Sequence, residues 1–254
     1  MQLRVDRVDK SFGGLKVLSG VSIEVQEGYV TGLIGPNGSG KTTLYNVICG
    51  IHEHDRGSIY LGDECLDKYL FHERSQKGII RTFQIPKLAK TLSVLDNLLF
   101  AGGDQSTERL GYVLFRVRQT RADLQLQLGQ AENVLAELGM HHLRDEYAGN
   151  LSGGQAKLLS LGMSLMRDGS VYLLDEPMAG VNPALAEFLL ERIGRLAQSG
   201  KAVVIVEHRM EVISNVCERV YALHLGETIC QGSPTEVMQD EFVRRAYLGL
   251  DYRG

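Results

Sequence analysis

The chain has 254 residues, 44% hydrophobic and 23% charged, which suits a large globular domain and excludes a disordered or collagen-like chain. A formal net charge of -4 gives no basic excess, so we expect no nucleic acid partner. No apolar run approaches the roughly 18 residues that span a bilayer, and the charged N-terminal segment does not resemble a signal peptide, so we expect a cytoplasmic protein.

The N-terminal third predicts strands of two kinds. Residues 3–8 and 17–25 alternate apolar with polar side chains, which is typical of antiparallel strands with one wet face. Residues 30–34 are continuously apolar and predict a strand buried on both faces, as in a parallel sheet covered by helices. The sequence therefore predicts an α/β fold, with a mainly parallel sheet and an additional antiparallel β part.

A phosphate-binding loop follows the buried strand. The pattern is glycine-rich, ends in lysine and two threonines, and opens a helix: Gly35, Pro36, Asn37, Gly38, Ser39, Gly40, Lys41, Thr42 and Thr43. The glycines let backbone N–H groups surround phosphate oxygens, and the helix start adds a positive dipole end. Lys41 is expected to bridge the β- and γ-phosphates of ATP, and the Thr42 hydroxyl to bind Mg²⁺.

The middle of the chain is predicted to be a helical insert. Residues 85–150 carry no strong strand signal, and apolar side chains recur at helical spacing: Leu124, Leu128, Ala131, Leu135 and Leu138. We expect one domain, 1–254. Within it, 1–84 and 151–230 form the catalytic core with the antiparallel part, 85–150 form a helical subdomain, and 231–254 form a helical tail.

A second candidate anion site follows this insert. Ser152, Gly153, Gly154 and Gln155 open a predicted helix that runs to about residue 167, so amide groups and a positive dipole end coincide there. One ATP needs only one phosphate loop. A second site for a γ-phosphate therefore implies a partner molecule.

Acidic residues and a histidine end two further apolar strands. Asp175 and Glu176 follow residues 171–174, and His208 follows residues 203–206. Ligands of parallel sheets bind at the carboxyl ends of the strands. We assign Asp175 to Mg²⁺, Glu176 to the attacking water and His208 to the γ-phosphate; a solvated acidic pair and a structural histidine are the alternatives.

A helix with clear end signals is predicted next. Asn182 can cap it, Pro183 suits the first turn, and Gly200 suits the end. Its predicted apolar face consists of Leu185, Phe188, Leu189, Ile193 and Leu196. Beyond it, residues 221–229 resemble a hairpin that turns at residues 226–227.

Together these motifs resemble the ATP-binding subunits of ABC transporters, with a P-loop NTPase core similar to RecA. The pentapeptide at 151–155 resembles the ABC signature, which in that family closes over ATP held by a second subunit. The resemblance implies a head-to-tail dimer, in which Gln84 contacts Mg²⁺ and the attacking water and Phe12 stacks on adenine. Asn182 stands where the family commonly has Asp, and Phe12 where Tyr is commoner.

Several short motifs narrow the resemblance to one branch. They are similar to the ATPases of importers for branched-chain or other hydrophobic amino acids, a branch that includes urea and short-amide importers: Arg81-Thr82-Phe83-Gln84, Ala179-Gly180-Val181-Asn182-Pro183, Val206-Glu207-His208-Arg209-Met210 and Ala246-Tyr247-Leu248-Gly249. The resemblance implies membrane permease subunits, an external solute-binding protein, and a location on the inner face of the cell membrane. Whether the two ATPases are identical stays open.

Other functions remain as alternatives. The ATPase of a lipid or lipopolysaccharide exporter is one, and a soluble ABC ATPase outside transport is another. A subunit that has lost hydrolysis is disfavoured by Glu176 and His208. If the chain serves a transporter, Gln84 and residues 85–92 are expected to line a cleft that receives the membrane subunit, and Leu88 is the candidate contact.

Overall fold

The computed structural model describes residues 2–82, 88–103 and 117–248. Contacts divide the chain into two compact units, one formed by Met1–Gln84 with Gly169–Gly254 and the other by Ile85–Asp168. Gln84 and residues 85–87, the start of the predicted membrane-contact segment, lie outside the described residues. Among the described residues, no helix is both long and apolar enough to cross a membrane.

The regular elements occur in three groups along the chain. The first group is β1 (Leu3–Phe12), β2 (Leu15–Val25), β3 (Val30–Ile34), α1 (Lys41–Ile48), β4 (Arg56–Leu61), β5 (Glu64–Cys65), α2 (Phe71–Gln76) and β6 (Ile79–Arg81). The second group belongs to the smaller unit: α3 (Val94–Gly102), α4 (Val117–Glu137) and α5 (Gly153–Leu165). The third group is β7 (Val171–Asp175), α6 (Pro183–Gln198), β8 (Ala202–Val206), α7 (Met210–Val216), β9 (Arg219–His224), β10 (Glu227–Gly232), α8 (Pro234–Gln239) and α9 (Glu241–Leu248).

The larger sheet of the first unit is mainly parallel. Among the described residues its order is β10-β9-β3-β8-β7-β6, and only the β9–β10 pair is antiparallel. Every residue of β3, β7 and β8 is buried, as their continuous apolar sequences predicted. Since β8 lies between β3 and β7, the three strand ends predicted to carry the chemistry are neighbours, and the predicted α/β fold class is confirmed.

The smaller sheet of the same unit is antiparallel, in the order β2-β1-β4-β5 among the described strands. The alternation in β1 and β2 buries one face and leaves the other wet. A single apolar cluster joins this face to the larger sheet and to helix α1. It includes Val5, Ile23, Tyr45, Val204 and Leu223, so the phosphate-loop helix rests on a core supplied by both sheets.

The second unit is helical. A Cβ placed on Gly162 of α5 would lie 2.9–3.1 Å from side-chain atoms of Leu138, Leu98 and Val134, so this glycine allows close packing. Because α5 packs in this way, the compact unit extends to Asp168, whereas the sequence prediction ended the helical part at residue 150. The predicted face of α4 is only partly buried: Leu135 is enclosed, but Leu124 is 56% exposed.

Helix α6 has the predicted ends. The Asn182 side chain accepts a hydrogen bond from the backbone N–H of Leu185, and Pro183 occupies the first turn. Gly200 follows the helix with φ of 88°. Leu189 and Ile193 are buried as predicted, together with Ala186 and Ala197, whereas the other predicted apolar residues are half-buried.

Candidate functional site

The phosphate loop connects β3 to α1 in a tight, glycine-dependent path. Gly35, Gly38 and Gly40 have positive φ angles of 151°, 81° and 105°. A Cβ on Gly35 would lie 2.2 Å from the carbonyl oxygen of Leu223, and one on Gly40 would lie 2.8 Å from Cδ2 of Leu18. The glycines are therefore required by conformation and, at these two positions, also by space.

Lys41 lies inside this loop. Its Nζ donates to the carbonyl oxygens of Gly35 at 2.8 Å and Pro36 at 3.0 Å, and the residue is 6% exposed. Burial lowers the pKa of Lys41 from its ordinary 10.5, while the carboxylates of Glu176 and Asp175 partly oppose that shift. The loop thus holds a cation beside acceptors from its own backbone, a position suited to phosphate oxygens.

Glu176 and His208 meet at the ends of β7 and β8. His208 Nε2 lies 2.9 Å from Glu176 Oε1, and the two side chains are 35% and 20% exposed. Glu176 has φ of 46°, in the left-handed region that non-glycine residues rarely adopt. Its backbone N–H donates to Val206 O at 3.0 Å, which helps to hold this turn in place. The pair combines a carboxylate and an imidazole with access to solvent.

Asp175 is enclosed beside an arginine that the sequence prediction left without a role. The Arg81 guanidinium lies 3.2 Å from Asp175 Oδ2, and the two side chains are only 6% and 9% exposed. The same guanidinium donates to Asn46 Oδ1 on α1 and lies over the Tyr45 ring, 5.6 Å from its centroid. Arg81 therefore ties the end of β6 to the acidic strand end and to the phosphate-loop helix.

Tyr45 and Glu207 are further buried polar groups that the sequence prediction missed. The Tyr45 hydroxyl lies 3.2 Å from Leu174 O and 3.0 Å from Val204 O, and burial holds its pKa well above the ordinary value. Glu207 is 3% exposed and accepts a hydrogen bond from Met178 N at 2.9 Å. Tyr45 therefore holds α1 against β7 and β8, and Glu207 fixes the loop after Glu176.

Phe12 ends β1 with its ring 42% exposed. The ring meets His52 edge-on, with centroids 5.2 Å apart, and Lys10 Nζ lies 5.1 Å from its centroid. An exposed aromatic ring beside a cation can stack on a nucleobase. Thr42, which was predicted to hold the metal, is exposed in the first turn of α1.

The signature residues open helix α5 in the second unit. Ser152 Oγ accepts from Gln155 N at 3.3 Å, and Gln155 Oε1 accepts from Ser152 N at 2.9 Å, which is a reciprocal capping box. Ser152 and Gly153 are exposed, and Gly154 is half-buried. The start of this helix is therefore open to an anion from outside the unit.

A family model described as ABC transporter matches residues 18–179. The chain belongs to the ABC transporter family. It is 37% identical to a probable branched-chain amino acid transport ATP-binding protein, LivG, of Archaeoglobus fulgidus, over 97% of this chain and 95% of the relative. It is also 35% identical to the lipopolysaccharide export system ATP-binding protein LptB of Escherichia coli K12, over 99% and 98% of the two chains.

Solved structures of ABC cassettes share the fold. A nucleotide-free ATP-binding cassette from an ABC transporter has a TM-score of 0.85 at 35% identity, covering 97% of this chain and 99% of that one. The ADP conformation of an ATP-binding cassette of an ABC transporter has a TM-score of 0.84 at the same identity, over 98% and 99%. The predicted family, the P-loop NTPase fold and the ATPase activity are confirmed.

Proposed function

We propose that the chain hydrolyses ATP as the motor subunit of an importer for branched-chain or other hydrophobic amino acids, with urea and short amides as related candidate solutes. The observation that carries this choice is the full-length similarity to LivG relatives of Archaeoglobus fulgidus and Methanocaldococcus jannaschii, 37% and 36% identical. The assembly contains two ATPase subunits, identical or different, with membrane permeases and an external solute-binding protein. The chain works on the inner, cytoplasmic face of the cell membrane.

Different residues of the first unit bind the phosphates, bind adenine and act on the attacking water. The loop from Gly35 to Thr43 surrounds the phosphates, with Lys41 as the cation nearest the β- and γ-phosphates. The Phe12 ring stacks on adenine. Glu176 accepts a proton from the attacking water, and His208, held by Glu176 at 2.9 Å, contacts the γ-phosphate.

The residues also fit Mg²⁺. Thr42 offers a hydroxyl and Asp175 a carboxylate, and oxygen ligands of this kind are those that Mg²⁺ prefers. Gln84, which lies outside the described residues, is proposed as a further contact of the metal and the water. When bound, Mg²⁺ neutralises phosphate charge, while Arg81 fixes the Asp175 carboxylate through its Oδ2 atom at 3.2 Å.

The signature residues complete the site of a partner subunit. Ser152, Gly153, Gly154 and Gln155 start a helix of thirteen residues, and the positive end of a helix favours an anion. In a head-to-tail dimer these residues bind the γ-phosphate of ATP held by the other subunit. Two ATP molecules are then enclosed at one interface.

A second candidate function is lipopolysaccharide export, supported by the similarity to LptB. Import and export are distinguished by deleting the gene in its own host and complementing the deletion with wild type or Glu176→Gln. Loss of labelled leucine uptake, restored only by wild type, is the expected result. Intact uptake of leucine, urea and short amides, together with lipopolysaccharide retained at the inner membrane, would establish the exporter instead.

Leu88 supplies a test of the membrane contact. It is half-buried in the described structure, and Leu92, four residues later in the chain, is 38% exposed. Such apolar surface commonly marks a partner site. Leu88→Glu should spare the ATPase activity of the isolated subunit but prevent association with the permeases, as measured by co-purification. Glu187→Lys, at an exposed position on α6, is the control and should associate with the permeases like wild type. Full association of Leu88→Glu would show that Leu88 is not part of the interface.

A further inference from the structure

A hydrogen bond joins the last described helix to the first residue of the phosphate loop. The backbone N–H of Gly35 donates to the hydroxyl of Tyr247 on α9 at 2.8 Å, across 212 positions of sequence. The carbonyl of the same glycine accepts the Lys41 Nζ hydrogen bond, also at 2.8 Å. One residue therefore connects the C-terminal helix with the lysine of the nucleotide site.

The Gly35 position leaves little room for adjustment. Besides the close approach of Leu223 O, a Cβ there would lie 2.6 Å from Ser39 Oγ. With both of its backbone polar groups bonded and no space for a side chain, Gly35 takes an orientation that depends on its partners. Of these two partners, Lys41 belongs to the loop itself, whereas Tyr247 comes from α9 at the other end of the described chain.

The hairpin tip between β9 and β10 makes a second contact with the same loop. Gly226 N donates to Ser39 O at 3.1 Å, and Gly226 O accepts from Ser19 N at 2.8 Å. The loop is thus held at its start by α9 and near its middle by the hairpin. Both contacts come from the C-terminal part of the chain, residues 219–248.

Helix α9 is itself fixed at its start. Asp240 Oδ1 accepts hydrogen bonds from Phe242 N at 2.9 Å and Val243 N at 3.0 Å, and Val243 is 3% exposed. Burial raises the pKa of Tyr247 above its ordinary value, and the Gly35 N–H opposes that shift only in part. The hydroxyl therefore stays neutral at physiological pH, on a helix that is anchored one and two turns before it.

We propose that Tyr247 is a positioning residue for ATP: its hydroxyl holds the Gly35 peptide in the conformation that binds the phosphates. This inference rests on the proposed ATP site at the loop. A loop that is already ordered loses less conformational entropy when the nucleotide binds, so its affinity is higher. The C-terminal helix then sets nucleotide affinity without touching the nucleotide, and anything that displaces the helix weakens ATP binding.

The test removes only the hydroxyl. Tyr247→Phe keeps the ring and loses one hydrogen bond to a buried peptide group, so the Kd and KM for ATP should rise about 3- to 10-fold. The value of kcat should change less than about 2-fold, because the groups that act on the water are unaltered. Titration calorimetry with ATP and Mg²⁺, steady-state hydrolysis and thermal unfolding are measured on the full chain.

Tyr29→Phe is the matched control, because Tyr29 is 46% exposed and precedes β3 at the end opposite the loop. Its Kd should equal that of wild type. An unchanged Kd and KM for Tyr247→Phe would overturn the inference, whether or not the unfolding temperature falls. If wild type bound no ATP, or Lys41→Ala bound it as well as wild type, the proposed ATP site itself would be wrong.

Discussion

Nε2 of His208 lies 2.9 Å from Oε1 of Glu176, so a side-chain hydrogen bond joins the ends of two adjacent parallel strands. The contact links an imidazole to a carboxylate held in a left-handed backbone conformation. Backbone strain of this kind persists where the surrounding contacts hold it, and it concentrates at functional sites. The pair is therefore the first place to test the chemical step.

Glu176→Gln should keep ATP binding and lose roughly 10² to 10⁴ in turnover, because the amide cannot accept a proton from water. The Kd for ATP is measured by calorimetry and turnover by phosphate release. Glu187→Gln, an exposed position on α6, is the control and should hydrolyse ATP at the wild-type rate. Hydrolysis by Glu176→Gln at a rate close to wild type would remove Glu176 from the chemical step.

Lys41→Ala should weaken ATP binding and hydrolysis together, since it removes a buried cation from the phosphate loop. Lys68→Ala, at an exposed lysine, is the control. Burial favours the neutral amine and lowers the pKa of Lys41 from 10.5, so the proton is lost at a lower pH than from an ordinary lysine. In a calorimetric series of increasing pH, the affinity for ATP should therefore begin to fall before pH 10.5 is reached, as Lys41 loses its proton. Lys41→Ala should lack that dependence.

Arg81→Met should lower the free energy of unfolding by about 3 kcal/mol, because it leaves the Asp175 carboxylate buried without its charge partner. Lys77→Met breaks a more exposed pair with Glu64 and should lower the free energy of unfolding clearly less than Arg81→Met. Chemical denaturation gives both values. Adding Asp175→Asn to Arg81→Met should recover part of the loss, and strictly additive costs would show that the two charges are not coupled.

Gly226→Ala and Gly200→Ala separate conformational strain from lack of space. The two glycines have similar φ angles, 83° and 88°, so each alanine should cost on the order of 1 kcal/mol for the left-handed conformation. At Gly226 the new Cβ would also lie 2.4 Å from Val17 O, whereas at Gly200 the described residues, apart from its chain neighbours, place no atom within 4 Å. Gly226→Ala should therefore be clearly less stable in denaturation and bind ATP more weakly; equal stabilities would contradict the close contact.

Local sequence patterns predicted the elements that act over short distances. The phosphate loop, the buried strands and the capped helix α6 each depend on neighbouring residues, which is why they could be recognised without a structure. The hairpin was also recognised, although its turn lies at Leu225 and Gly226, one residue earlier than predicted. Its left-handed turn conformation at both positions is typical of two-residue hairpins.

The contacts that the sequence prediction missed join distant positions. Arg81 meets Asp175 across 94 residues, and Tyr247 meets Gly35 across 212. No period or spacing specifies such pairs, because strand order decides them. One signal was available in the sequence, since Arg81 is a charge at the end of an apolar strand. Its partner is fixed only by the sheet, where the register of β6 with β7 pairs Arg81 with Leu173, two residues before Asp175.

The capping box of Ser152 has a chemical consequence of its own. A hydroxyl has two lone pairs and one hydrogen, and the bond from Gln155 N uses only a lone pair. The hydrogen can still be donated outward, so the same side chain can close its own helix and hold an anion. Aspartate caps helices equally well, yet it has no hydrogen to give and would bring a negative charge towards a phosphate. In the proposed dimer, the negative charge of the partner's ATP is therefore what distinguishes serine from aspartate as the cap of this helix.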